Sequence, residues 1–478
     1  MATQQVHHLI AGERRGAASR ERRNPADASD VVSAAAEGTP EDALAAIDAA
    51  RAAQPAWAAM PTPARGEILD RASRILASRV DEVARDLTRE EGKTIDEARG
   101  EVRRAADVLR FYGGEGWRQY GDTMPSTRVE TTVYTRREPV GVVAIITPWN
   151  FPIAIPAWKS APALVSGNAV VLKPAELTPL TAQHLALALM EAGLPNGVLN
   201  VVHGEGPAVG PTLTDDPRVA AVSFTGSMAV GGLIHRAVSK RMGRVQLEMG
   251  GKNATIVTEG ADLSRAAENI AASAFGVTGQ ACTATSRVIV PPAIADNLVH
   301  LLVEQAQRFQ PGNGLDERVR MGPVVSEDQV RRDLEYLEIA IEEGGELACG
   351  RPRADGQLLG PAIVRGVQRD HTIAQHEVFG PVLAVLEADD LDEAIDIAND
   401  VPFGLAAALC TNDLAATHRF IDRIQAGVVK INQPTIGVEL NVPFGGIKGS
   451  STGTFREQGP DATDFYSWEK AVYVGLDR

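Results

Sequence analysis

The segment GVTGQACTATSR, Gly276 to Arg287, sets Cys282 among small and polar side chains. A free cysteine is more often a small buried hydrophobe than a reagent. Glycine, alanine and short polar residues around it suit a tight loop, where a thiolate could act as a nucleophile. Other stretches offer the groups such a nucleophile needs. LEMGGK sets Glu248 between Leu247 and Met249 and ahead of paired glycines. Burial there raises a carboxylate's pKa and suits a general base; the bland alternative is a solvated turn acid. TPWNF holds Asn150 between aromatics and prolines, a rigid place from which an amide can donate to a developing oxyanion or simply cap a turn.

Two more stretches suggest a bound phosphate or ribose. FTGSMAVG puts Gly226 and Gly231 where a strand gives way to a helix, so backbone N–H groups and the helix dipole could face an anion. The GxGxxG spacing is absent, and a structural glycine turn explains this segment equally well. VLKPAE adds Lys173 and Glu176 past the end of another strand, on the edge where open sheets bind ligands. A solvated ion pair is the competing reading.

These groups need a scaffold that gathers loops at strand ends, and the hydrophobic pattern supplies one. VGVVAIITP, NAVVLKPA, LNVVHG and VAAVSFTG read as buried strands alternating with helices such as TAQHLALALMEAG and GGLIHRAVSK. The pattern restarts after Gly250–Gly251 with SRVIVPP, ADNLVHLLVEQAQRF, EDQVRRDLEYLEIAIEEGG and VLAVLEADDLDEAIDIAND. Two tandem α/β units with doubly wound parallel sheets follow. Ahead of them, TPEDALAAIDAARAAQPAW predicts a helix capped by Thr39. TPARGEILDRASRILASRVDEVARDL predicts one capped by Thr62 with Pro63 at its first position, and TIDEARGEVRRAADVLRFY a third. RVETTVYTRREPV and DFYSWEKAVYVGL alternate like exposed strands and could pair as a small third sheet.

The 478 residues exceed one ordinary core, and 44% hydrophobic with 23% charged residues is an ordinary globular composition. A net charge of −15 argues against nucleic acid or an anionic membrane as partner, while leaving room for a small anionic substrate. Cys282, Cys349 and Cys410 are far apart, with no CxxC pair. Neither a disulfide framework nor a cysteine-rich metal site is expected, and a reducing, cytoplasmic setting fits. The apolar stretch GVVAIITPWNFPIAIPAW is interrupted by Pro148, Pro152 and Pro156, which argues against a membrane span.

Taken together, TPWNFP, KPAELTP, FTGS, LEMGGKN, GQACTATSR, EVFGP and PFGGIKGS resemble the NAD(P)-dependent aldehyde dehydrogenase superfamily, in family order across nearly the whole chain. The resemblance implies two doubly wound α/β domains plus a small β arm. Residues 1–119 and 139–249 would form a cofactor domain, 250–449 a catalytic domain, and 120–138 with 450–478 an oligomerisation arm building a homodimer or homotetramer. It implies Cys282 as nucleophile, Glu248 as base, Asn150 with the Cys282 N–H as oxyanion hole, and Lys159 near the asparagine. NAD, or alternatively NADP, would be bound by Ile146, Thr147, Trp149, Lys173, Glu176, Gly206, Phe224, Thr225, Gly226, Ser227, Val230, Met249, Glu377 and Phe379. No metal is called for.

Within the superfamily the segments most resemble dehydrogenases of α-ketoglutarate semialdehyde (2,5-dioxopentanoate), ahead of succinate semialdehyde and broad-specificity enzymes. A CoA-acylating relative would lack the hydrolytic base, and a non-catalytic protein of this fold should have lost Cys282 or Glu248. The loop Gln433 to Asn441 is expected at the substrate mouth, and Arg287 and Arg110 are candidates for holding a distal carboxylate.

Overall fold

The computed structural model describes residues 3–475 apart from Pro352. Its first large sheet runs Arg244–Met249, Val219–Gly226, Val142–Ile146, Ala169–Lys173, Leu199–Val201, His8–Ile10, Glu13–Arg15. The first five strands are mutually parallel, and the last two join as an antiparallel hairpin. Val142–Ile146 and Ala169–Lys173 are buried at every residue. Their continuous apolar runs follow from helices covering both faces. The strand alternation divides them: Val143, Ile145, Val170 and Leu172 pack into one core, and Val142, Ala144, Ile146 and Val171 into the other.

The second large sheet runs Glu346–Cys349, Ala362–Arg365, Val382–Glu387, Arg287–Val290, Ala254–Val257, Ala406–Cys410, Val428–Ile431. All are parallel except the first, an antiparallel edge. The chain passes between the sheets through Gly250–Gly251, where the sequence pattern restarts.

Thr39 and Thr94 cap the helices Pro40–Ala59 and Ile95–Glu115 through reciprocal capping boxes with Asp42 and Glu97. The helix expected from Thr62 onward is instead two, Thr62–Ser78 and Val80–Glu91, broken at Arg79. Pro61 holds the cap position, and Thr62 is already helical. Its hydroxyl accepts from Arg65 Nη2 at 3.0 Å, part of a buried guanidinium cluster that also binds the Ala58 and Val165 carbonyls. That cluster draws Thr62 into the first turn.

The two leftover strand signals do pair: Thr131–Pro139 lies antiparallel to Ser467–Gly475 along its full length, with Thr123–Met124 on its other side. Before reaching this sheet, the C-terminal segment packs Ala462, Phe465 and Tyr466 into the core that Val143, Ile145, Val170 and Leu172 form on the first large sheet.

Candidate active site

Cys282 sits between the helix Leu263–Phe275 and the strand Arg287–Val290. The intervening turn is strained: Val277 and Thr278 have φ of 51° and 56°, left-handed values that β-branched residues avoid. Tertiary bonds hold it. The Val277 N–H donates to Glu97 Oε1 at 2.7 Å, and Thr278 Oγ1 to the Gly322 carbonyl at 3.0 Å. Gly279, with φ of 68°, admits no Cβ because the Gly380 carbonyl lies against it. The Cys282 carbonyl accepts from Asn253 Nδ2 at 2.8 Å. Burial, and then the carboxylates of Glu377, Glu248 and Glu457, push the thiol up to about 12.

Asn150 is buried and reaches the same loop, its Nδ2 donating to the Gln280 carbonyl at 2.9 Å. An amide nitrogen has two hydrogens, so one remains for a ligand. Lys93 fixes the backbone here: its Nζ donates to the Asn150 carbonyl and to Glu101 Oε2, both at 2.7 Å, and lies 4.4 Å from the Phe151 ring centre. Glu101 Oε1 in turn accepts from the Ile153 and Ala154 N–H groups.

Glu248 is the penultimate residue of the strand Arg244–Met249, and its carboxylate is bonded toward the C-terminal segment. Ser451 Oγ donates to its Oε1 at 3.0 Å, and the Gly446 N–H to its Oε2 at 3.4 Å. Burial first, then the nearby Glu457, hold its pKa well above the usual carboxylate range. Lys159 is fully buried, ion-paired to Glu457 and bonded to Ser223 Oγ at 2.9 Å. Trp158 Nε1 donates to the other Glu457 oxygen at 3.0 Å.

Two cavities meet at Cys282. The smaller, about 160 Å³, brings together nine residues that the sequence singled out: Trp149, Asn150, Thr225, Gly226, Ser227, Met249, Cys282, Glu377 and Phe379. The larger, about 500 Å³, opens on the other side of the thiol and is walled mainly by apolar groups, including Phe151, Trp158, Ile436, Val438 and Phe444. Ile436 to Val438 belong to the loop expected at the substrate mouth. Glu248 and Lys159 line neither cavity.

The glycines around the smaller cavity have steric reasons. A Cβ on Gly226 would overlap the Phe224 ring, and one on Gly231 the Met249 sulfur. A Cβ on Gly250 would overlap the Glu377 carboxylate, whose Oε1 accepts from the Gly251 N–H at 3.0 Å. Burial pushes Glu377 up to about 6. Phe379, with φ of 69°, meets Trp149 edge-on at 5.5 Å.

The remaining expected cofactor residues lie along the carboxyl edge of the first sheet without lining this cavity. Ile146 pairs with Lys173 and with Phe224 across adjacent strands. The Thr147 N–H donates to the Lys173 carbonyl at 3.1 Å. Lys173 is buried, with Nζ 3.0 Å from the Pro174 carbonyl and 3.7 Å from Glu176 Oε2. Gly206 opens the helix Gly206–Asp215. The Val230 N–H donates to Ser227 Oγ, which caps the helix Met228–Lys240. Thr147 Oγ1 and Thr225 Oγ1 are buried without a hydrogen-bond partner. Such orphaned hydroxyls at a strand edge suit a polar ligand.

The model of the aldehyde dehydrogenase family matches residues 13–472. The chain belongs to the aldehyde dehydrogenase family. This aldehyde dehydrogenase is 47% identical over 94% of both chains to the α-ketoglutarate semialdehyde dehydrogenase of Haloferax volcanii. It is 45% identical over 95% of both to the 2,5-dioxopentanoate dehydrogenase of Saccharolobus solfataricus. Its fold matches the crystal structure of an NAD-dependent aldehyde dehydrogenase from Sinorhizobium meliloti with a TM-score of 0.96, at 36% identity, covering 100% of this chain and 96% of the other.

Several groups at the dehydrogenase's site gave no local signal. Gln329 and Arg332 reach the smaller cavity from the helix Glu327–Glu342, where they read as ordinary polar surface. Lys93, Glu97, Glu101 and Arg104 come to the larger one from the helix Ile95–Glu115 and the turn before it. Glu457 lies in a stretch, FREQGP, that carries no chemical pattern of its own. Both arginines suggested for a distal carboxylate stand elsewhere. Arg287 is fully buried and spends its donors on the carbonyls of Lys252, Ile397 and Ala398. Arg110 is exposed and paired with Asp107. Among the described residues no group of three or more His, Cys, Asp and Glu is arranged for a metal ion, and no helix is long and apolar enough to cross a membrane.

Proposed function

We propose that this aldehyde dehydrogenase oxidises α-ketoglutarate semialdehyde to the dicarboxylic acid with NAD, using Cys282 as nucleophile, Glu248 as base and Asn150 as oxyanion donor. The observation that carries the reading is the position of Cys282 where the two cavities meet, with the glycine-lined cleft on one side and the larger apolar chamber on the other. A nucleophile at such a junction can touch an aldehyde and a cofactor at once. The orphaned Thr147 and Thr225 hydroxyls and the Lys173–Glu176 pair fit a dinucleotide along the strand edge. When bound there, NAD supplies the hydride acceptor.

The chain's own groups do the rest. A thiol held near 12 is mostly protonated at neutral pH, so its proton must pass to a base as sulfur adds to the aldehyde carbon. That first proton passes to solvent water at the cavities, while Glu248, held by Ser451 and Gly446 and lining neither cavity, turns to the site for the hydrolytic step. The carbonyl oxygen gains negative charge beside the free Asn150 amide hydrogen and the Cys282 N–H, which stabilise the thiohemiacetal alkoxide. Loss of hydride leaves a thioester. Water then adds to its carbon while Glu248 takes the water's proton, the C–S bond breaks, and the sulfur is reprotonated.

The substrate is supported by the identities of 45–47% to enzymes named for this semialdehyde. The strand Ser467–Gly475, an edge of its sheet with Tyr473 exposed, supports a homodimer or homotetramer built by pairing such edges. The three separated free cysteines support a cytoplasmic setting. The test is a spectrophotometric screen for NADH and NADPH across aldehydes differing in length and terminal charge. The highest kcat/KM is expected for α-ketoglutarate semialdehyde, then succinate or glutarate semialdehyde, with hexanal and benzaldehyde well behind. An uncharged aldehyde at the top would overturn the substrate while leaving the chemistry at Cys282.

A further inference from the structure

We infer that Arg104 receives the distal carboxylate of the substrate in the larger cavity and so sets the enzyme's specificity for a charged aldehyde. This rests on the semialdehyde reading above.

The larger cavity is mostly apolar, and four charged side chains enter its wall: Lys93, Glu97, Glu101 and Arg104. Three of them are committed to the protein. Lys93 is bound to Glu101 and the Asn150 carbonyl. Glu101 also accepts two backbone N–H groups, and Glu97 caps its own helix while accepting from Val277. Arg104 differs. Its single hydrogen bond runs from Nη2 to Gln458 Oε1 at 2.6 Å, and among the described residues no carboxylate stands within ion-pair distance. Burial pulls its pKa down, offset in part by Glu439, Asp107 and Tyr112, none of them within ion-pair distance. A guanidinium offers five N–H donors in a planar fork, so most of its capacity is unspent.

Gln458, the one partner of Arg104 among the described residues, is itself strained and incompletely satisfied. It is 1% exposed, its Nε2 donor has no partner, and its backbone is held at φ of 58°. A strained residue that presents an amide to a guanidinium, while its own N–H₂ goes unsatisfied, is a costly arrangement for a purely structural role. Gly100, one turn before Arg104, also lines the cavity, and a Cβ built on it would meet nothing within 4 Å. A helical glycine in open space leaves room beside the arginine. A carboxylate arriving there would take two parallel N–H···O bonds from the fork, in an enclosure where salt screens it weakly.

The test compares kcat/KM for α-ketoglutarate semialdehyde with that for hexanal, in the wild type and in Arg104→Met. The wild type is expected to favour the charged aldehyde strongly. In Arg104→Met that preference should fall by about 100-fold or more, chiefly through KM. Arg104→Lys keeps the charge but loses the fork, and should fall by about tenfold. It also keeps the test open if the methionine variant does not fold, which NAD binding followed by fluorescence will reveal. A wild type that favours the semialdehyde and variants that keep the preference within about threefold would overturn the role of Arg104 and leave the substrate standing. A wild type indifferent to the carboxylate would overturn the substrate reading itself, and this inference with it.

Discussion

Toward Glu377, the wall around Cys282 includes glycines that close packing demands; toward Arg104, it is made almost wholly of side chains. On the first side Gly226 and Gly231 are glycines because Phe224 and Met249 press against them, Gly250 because Glu377 does, and Phe379 is held in a left-handed conformation. On the second side an apolar chamber takes charged groups from one helix and the turn before it, most of them bonded within the protein. Backbone fit of this kind requires particular residues in short contiguous runs, and it serves a ligand common to a whole family. Side-chain walls draw single residues from distant segments and can be retuned one at a time. The difference explains how one scaffold can keep its chemistry while its aldehyde changes.

The largest effects should come where the two sides meet. Cys282→Ser should lower aldehyde oxidation by about 1000-fold or more while leaving NAD affinity nearly intact, because a hydroxyl ionises far less readily than even this suppressed thiol. Steady-state rates together with fluorescence titration of NAD would check both halves; turnover within tenfold of wild type would end the assignment. The same thiol gives a pH dependence. With its pKa pushed up to about 12, the thiolate fraction grows with pH, so kcat/KM should rise between about pH 6 and pH 9 rather than level off near neutrality.

Glu248→Gln separates the two halves of the reaction. Steady-state turnover should fall by about 100-fold or more, while a first burst of NADH survives, because acylation loses its proton to solvent and precedes the water step. A stopped-flow trace reads this directly. Loss of the burst together with the steady rate would assign Glu248 to the step before hydride transfer. Asn150→Ala should cost about 100-fold in kcat, from removal of one oxyanion donor. Part of any larger loss would come from the Gln280 carbonyl, which loses its partner and lets the Cys282 loop shift. NAD affinity unchanged alongside a lowered kcat would identify the oxyanion role.

The same contrast governs what could be read from the chain. Cys282, Asn150 and the Gly226, Gly250 and Phe379 segments announce themselves because each needs particular neighbours in the sequence. The parallel sheets were legible from their uninterrupted apolar runs. Arg104, Lys93 and Glu457 were not, since nothing local distinguishes a helix arginine facing a cavity from one facing water. Arg287 illustrates the converse: a charged residue five positions after the cysteine invites a substrate role, yet it is wholly occupied by the carbonyls of Lys252, Ile397 and Ala398. Thr62 misled for a related reason, because a buried arginine from its own helix competes for the hydroxyl that the cap would have used.

The smallest expected effect belongs to the strand edge beyond the smaller cavity, at Glu176. Glu176 is partly exposed and lies 3.7 Å from Lys173 Nζ, which burial keeps from holding its proton as firmly as a free lysine. A carboxylate there can accept from the adenosine ribose hydroxyls of NAD, whereas a 2′-phosphate would bring like charge beside it. Lys173 offsets part of that repulsion, so the preference for NAD should be modest. Glu176→Gln removes the negative charge while keeping an acceptor oxygen. It should raise kcat/KM with NADP by about tenfold relative to NAD, corresponding to roughly 1.4 kcal/mol, with little change in aldehyde selectivity. Parallel initial-rate measurements with both cofactors on one aldehyde give the ratio. If the wild type already favours NADP, or if the variant leaves the ratio unmoved, cofactor choice lies with other groups along the strand edge, and the two sides of Cys282 would share the property of being tuned by residues far from the motifs.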